Sequence, residues 1–246
     1  MKPASIDADT LADLFLEAAS PVLEAWAEAP RSASGGPSGD DVAQALRQFL
    51  QVLARLEADA KAGVERLGTD EVTEIGDYGF GLMQMLRDSA ERLRMERAQA
   101  QLGDLSLPLA LWVIRHGGMI SQLEAVVDVL AADANRTTER GALKTLADVM
   151  VEVLDGAAPQ LRHDLEASNP GRPWRVLHLN YGIVATRCHD PERMRDAFDR
   201  LIQALPQDAP GFFAEGMRQM DALDYPQHVR DVMEHYHRRY VDQRLH

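Results

Sequence analysis

Three times towards the end of the chain an aspartate stands just ahead of a proline: Asp190-Pro191, Asp208-Ala209-Pro210 and Asp224-Tyr225-Pro226. An aspartate placed so accepts hydrogen bonds from the first free amides of a helix, and proline is tolerated only in a helix's first turn. Each pair therefore starts one helix and ends whatever preceded it. With Pro170, Gly171 and Pro173 marking an earlier start, the chain from 173 onward reads as successive helices of about four turns. Loops of a few residues force such helices to lie antiparallel to their neighbours in sequence.

Side-chain spacing agrees. Met194, Ala197, Phe198, Leu201 and Leu205 share a face; so do Phe212, Phe213, Met217, Met220 and Leu223, and then Val229, Val232, Met233, Tyr236 and Tyr240. The segment from Trp174 to His189 differs. At about 100° per residue, Trp174, Leu177, Tyr181, Val184, Ala185 and Cys188 line one face, and Val176, Leu179 and Ile183 the opposite one. Polar seams run between them: Arg175, His178, Thr186 and His189 on one side, Asn180 and Arg187 on the other. A surface helix carries one apolar stripe. Two stripes predict a helix with neighbours on both sides.

Residues 1–29 read as an amphipathic helix through Ile6, Leu11, Leu14, Phe15, Ala18, Val22 and Trp26. Residues 30–41, with the run PRSASGGPSG, read as a flexible linker. The arm either folds back on its own chain or docks on another. Residues 42–246 form the helical domain. Within it, 42–101 predicts a long hairpin of coiled-coil type, with Val42, Leu46, Phe49, Leu53, Leu56, Ala60 and Val64 facing Val72, Ile75, Gly79, Leu82, Leu86, Ala90 and Leu93. Asp40 or Asp41 is expected to cap its first helix, Gly68 to end it, and Thr69 or Asp70 to cap the second. Leu50, Val52, Phe80 and Met83 on the far flank suggest a homodimer surface. In 102–246, helices are expected after a cap at Ser106, over Met119–Ala134, from Thr137 or Thr138 onward, and in a short segment ending at Asn169. Sustained period-two alternation is absent from the sequence. The predicted fold is all-α, with antiparallel helix pairs stacked as an α-solenoid.

Trp174, Leu177 and Tyr181 match the opening of the tetratricopeptide repeat, W-x2-L-G-x2-Y, with His178 in place of its glycine. Phe198 and Pro206 match later positions once about four residues are inserted near the turn, and Met194 takes the family's small-residue position. The stretch, covering about 34 residues, resembles a degenerate repeat of that family. The resemblance implies a concave surface for a protein or peptide partner.

The glycines of Gly76–Gly81 (GDYGFG) lack the order and the preceding strand of a phosphate-binding loop, so they read as points of close helix approach. Arg115-His116-Gly117-Gly118 reads as a break between helices. A net charge of −13 opposes nucleic acid, whose affinity rests on neutralised phosphates. One cysteine among 246 residues leaves no internal disulfide and suits a reducing compartment. Without a signal segment or an apolar run long enough to span a bilayer, the expected location is cytoplasmic, with no membrane span.

Eight histidines call for a metal search. Glu-x-x-His occurs once, from Glu234 to His237, where the helical di-iron pattern needs it on two helices, and His-Glu-x-x-His does not occur. His178 and His189 stand about 16 Å apart along one helix, and Cys188 and His189 point in different directions. The best cluster, His228, Asp231 and His235, shares a face of the last helix, opposite its apolar stripe. Cys188 reads as a small buried hydrophobe. No catalytic residue and no cofactor is expected. The expected function is non-catalytic protein binding, with Arg175, His178, Arg230, His235, Arg238 and Arg239 as partner contacts. The alternatives are a helical metal-binding protein or enzyme using the His228 cluster, and a self-associating structural protein.

Overall fold

The computed structural model describes residues 6–28, 37–64, 67–162 and 169–241, and among them all regular structure is α-helical apart from one isolated bridge between Ile120 and Ala157. No helix among these residues is long and apolar enough to cross a membrane. The chain divides into two compact units. One runs up to Val129 and includes Gly156–Ala158; the other comprises Leu130–Asp155 and the chain from Pro159.

In the first unit, α1 (Ala8–Glu28) packs against α2 (Gly39–Lys61), α3 (Thr69–Arg92), α4 (Glu96–Asp104) and α5 (Ser106–Arg115). Leu11, Phe15, Ala19 and Val22 are fully buried, and Phe15 meets Phe49 edge-on at 6.0 Å. The N-terminal arm thus lies on its own chain. Its start is tied down twice: Thr10 N donates to Asp7 Oδ1 at 2.8 Å, and Ala8 N donates to Glu57 of α2 at 2.5 Å. Near its end the Arg92 guanidinium sits 5.5 Å over the Trp26 ring.

Several expected boundaries move here. Ser38, not Asp40 or Asp41, caps α2, in a capping box that uses Asp41. The linker therefore ends before Ser38; its residues 30–36 lie outside the described residues. Gly63, at φ +72°, ends α2, with Val64 N donating to Asp59 O at 3.0 Å. This is the left-handed turn that glycine adopts without strain. Gly68 instead opens α3, its amide donating to Glu71 at 2.8 Å. The hairpin stops at Arg92, because Arg94 turns left-handed and α4 begins two residues later. The proposed dimer flank is mostly covered: Leu50, Phe80 and Met83 are buried, and only Val52 is exposed. Ser106 does not cap α5; its Oγ donates to Ala125 O at 2.9 Å. The helix expected from Met119 starts only at Glu124, as α6 (Glu124–Arg136). Ile120 is held out of it by exchanging hydrogen bonds of 2.8 Å with the Gly156 carbonyl and the Ala158 amide.

The GDYGFG glycines lie mid-helix in α3. A Cβ on Gly76 would stand 2.7 Å from Val113, and one on Gly79 would enter the Phe49 ring. Gly76 and Gly79 are close-approach points, as the spacing predicted, but Gly81 is not, with nothing within 4 Å of a Cβ there.

The second unit takes α6 from Leu130, α7 (Arg140–Gly156) up to Asp155, α8 (Pro159–Arg162), α9 (Pro173–Arg187), α10 (Pro191–Ala204), α11 (Ala209–Ala222) and α12 (Gln227–Tyr240). Glu139 rather than a threonine caps α7, accepting from Gly141 N at 2.8 Å and Ala142 N at 2.6 Å. The short helix expected to reach Asn169 is α8, and residues 163–168 lie outside the described residues. Asp190 caps α10 as expected, accepting from Glu192 N and Arg193 N. Asp208 makes no cap bond and receives Arg175 Nε at 2.6 Å and Arg172 at 3.6 Å. Proline alone marks the start of α12.

Polar pairs fix the relative direction of these helices. Lys144–Asp190 at 3.4 Å, Asp148–Arg193 at 2.5 Å and Asp155–Arg200 at 2.7 Å advance together along both elements, so α7 and α10 run parallel. His228 to the His189 carbonyl at 3.2 Å and Tyr236 to Asp199 at 2.7 Å set α12 parallel to α10 in the same way. Arg175–Asp208 and the contact of Gly182 with Phe212 set α11 parallel to α9. At the end of α9, Arg187 donates to Ala134 O and Thr137 O, where α6 ends. Between the layers, Phe198 touches Phe212, Phe213 and Tyr236 at centroid separations of 5.6, 5.2 and 5.1 Å.

Candidate functional site

The second unit exposes one apolar helix edge and one mixed-charge face. The edge belongs to α9. Trp174, Leu177, Tyr181, Val184, Ala185 and Cys188 are buried as the spacing predicted. The opposite stripe is not. Ile183 is 48% exposed and Val176 and Leu179 are half-buried, while the expected polar seam is covered at His178 and Thr186. The buried arc is rotated into that seam, where Thr186 and Arg175 find hydrogen-bond partners and His178 packs on a ring. Thr186 Oγ1 donates to Gly182 O at 2.8 Å, Arg175 pairs with Asp208, and the His178 ring sits edge-on to Trp174 at 4.5 Å. A hydrogen-bonded hydroxyl costs little to bury. Gly182 completes the seam, since any Cβ there would stand 2.6 Å from Phe212.

The mixed-charge face belongs to α12. His228, Asp231, His235, Arg238 and Arg239 are exposed, opposite buried Val229, Val232, Met233 and Tyr236. Arg238 pairs with Glu234 at 2.8 Å, the Arg239 guanidinium lies 5.4 Å over the Tyr240 ring, and Asp231 accepts from Gln227 at 2.7 Å.

Of the six predicted partner contacts, three are therefore displaced. His178 is buried and cannot meet a partner. Arg175 is held by Asp208 and by the Pro170 carbonyl at 2.8 Å. Arg230 donates to Met220 O and, at 2.9 Å, to Asp221. His235, Arg238 and Arg239 stay at the surface. Among the described residues no three His, Cys, Asp or Glu side chains gather into a group that could hold a metal, so His228, Asp231 and His235 share a face without forming a site.

Titratable groups inside the unit are set for structure. Burial pushes the Cys188 thiol up to about 11, against the lowering influence of Arg193 and Lys144, which leaves it a protonated apolar group at neutral pH. Burial and the adjacent Asp196 hold Tyr181 well above the usual tyrosine range, so its hydroxyl remains a donor to Asp196 Oδ2 at 2.7 Å. Burial and Asp199 do the same for Tyr236. Neither tyrosine nor the cysteine is activated as a nucleophile or base.

The sequence reading passed over the aspartates that join the helices, Asp148, Asp155, Asp196 and Asp199. A signal was present: Asp148 and Asp155 stand seven apart, as do Arg193 and Arg200, so each pair recurs on one helix face.

Comparison of the chain with protein-family models, with characterised proteins and with solved structures finds no match.

Proposed function

We propose that this chain is a non-catalytic cytoplasmic adaptor that binds a protein or peptide partner along a tetratricopeptide-like array of helix pairs. One observation carries the reading: second helices α7, α10 and α12 run parallel, and first helices α9 and α11 likewise, as successive stacked hairpins require. The open α9 edge supplies an apolar anchor in Val176, Leu179 and Ile183, a spacing that suits a packed helix or extended peptide. His235, Arg238 and Arg239 add hydrogen-bonding and cationic groups on α12. The charge of −13 favours protein over nucleic acid as the partner.

Affinity capture with the wild-type chain and with Ile183→Glu tests the proposal. Wild type should recover a specific partner. The exposed substitution should reduce recovery about tenfold, as expected for an interface anchor, while leaving the unfolding temperature unchanged. A wild type that recovers nothing above background, or a variant that retains the partner, removes the reading.

A further inference from the structure

The turn between α9 and α10 meets the start of α12 through two histidines. His189 occupies the left-handed region at φ +54°, as the residue that ends α9. This conformation aims its carbonyl at α12, where His228 Nε2 donates to it at 3.2 Å. A carbonyl oxygen only accepts, so Nε2 of His228 carries the hydrogen. The His189 ring packs against Tyr225, in the loop leading into α12, at 5.3 Å, and its Nδ1 is buried without a hydrogen-bond partner.

We propose that the His189–His228 contact is an acid-released latch, which holds the start of α12 on the α9–α10 turn at neutral pH and lets it go as the His189 imidazole becomes charged. The groups facing His189 decide the sign. Arg140 of α7 and His228 both act on it as cations, and Arg187 lies close enough to act on Tyr225. Asp190, the carboxylate next in the chain, is already engaged by Lys144, Arg193 and the first amides of α10. A proton on His189 therefore enters a site with no acceptor for Nδ1 and an excess of positive charge.

The ring's pKa moves accordingly. Burial first, then Arg140 and His228, hold it below the ordinary imidazole value of 6.5. A folded-state pKa below the unfolded one means that the folded chain resists the proton. Its contribution to stability is complete above about 6.5 and declines as pH falls below that value towards the folded pKa.

Amide hydrogen exchange on the full chain, read as protection factors at about pH 7.5 and about pH 5, tests the latch. In the wild type, protection in α12 should fall about tenfold more than in α7. His189→Asn keeps a residue that tolerates left-handed backbone and removes the titrating ring; the difference between α12 and α7 should then shrink below about twofold. His228→Gln, which retains an N–H donor, should shrink it as well and serves if the first variant does not fold. Equal loss in α7 and α12 of the wild type, or an undiminished difference in either variant, overturns the proposal.

Discussion

Where α2 meets α3, Gly79 lets the Phe49 ring reach the helix backbone; where α7 meets α10, Asp148 and Asp155 reach across to Arg193 and Arg200. Close glycine contacts occur in both units, Gly182 against Phe212 among them, but the described inter-helix arginine pairs lie in the second. In the first, the described ion pairs Arg55–Asp59 and Glu57–Lys61 stay within α2, and helices are joined by apolar packing against small residues. In the second, arginines bridge helices throughout. Charge is divided to match: residues 1–129 carry 21 acidic and 11 basic side chains, and residues 130–246 carry 18 and 15. The first unit leaves its carboxylates largely on the surface, whereas the second commits many of them to arginines. Magnitudes separate the consequences. Filling a close helix contact costs about 1–3 kcal/mol, while a half-exposed ion pair contributes about 0–1 kcal/mol. Glycine contacts such as that of Gly79 therefore weigh more on stability than the ion pairs of the second unit, which mainly set which helix faces which.

The largest expected effect lies in α3. Gly79→Ala should destabilise the chain by about 1–3 kcal/mol, since its methyl meets Phe49 and Leu109. Gly81→Ala, two residues on with nothing within 4 Å, should stabilise it by about 0.5–1 kcal/mol. Urea denaturation of both variants reads the pair of signs. Stabilisation by both would mean that helix propensity, not close approach, governs α3.

That contrast was only partly legible in the sequence. The starts of α9, α10, α11 and α12 follow from proline chemistry, which is local. The caps were harder. Asp190 caps α10, but Asp208 is drawn off by Arg172 and Arg175, which come from more than thirty residues earlier in the chain. Gly68 looked like a stop because glycine favours left-handed backbone, yet Gly63 takes that conformation and Gly68 opens the next helix. On α9, hydrophobicity alone predicted two buried stripes. Thr186 bonds within its own helix and His178 packs on the Trp174 ring, so the covered arc takes in both and leaves Val176, Leu179 and Ile183 at its edge. Among the candidate contacts, Arg175 and Arg230 were chosen for charge, and charge is what tied them to Asp208 and Asp221.

A smaller effect separates the units from the other side. A double-mutant cycle of Arg193→Ala and Asp148→Ala should give a coupling of about 0.5–1 kcal/mol at low salt, since both side chains are partly exposed. Near 1 M salt, where screening acts within about 3 Å, the coupling should fall towards zero. The Gly79→Ala penalty should not change. A salt-independent coupling would place this pair in a drier contact and blur the distinction between the units.

The parallel course of α7 and α10 carries the array on which the proposed function rests, and spin-label distances test it directly. In a Cys188→Ala background, labels on Lys144→Cys with Glu192→Cys, and on Lys144→Cys with Gln203→Cys, sample the two ends of α10. Eleven residues at about 1.5 Å each, on helix axes about 10 Å apart, make the 144–192 distance the shorter by roughly 10 Å. The reverse order, with 144 nearer 203, would mean that α7 and α10 run antiparallel and would contradict the stacked-pair arrangement.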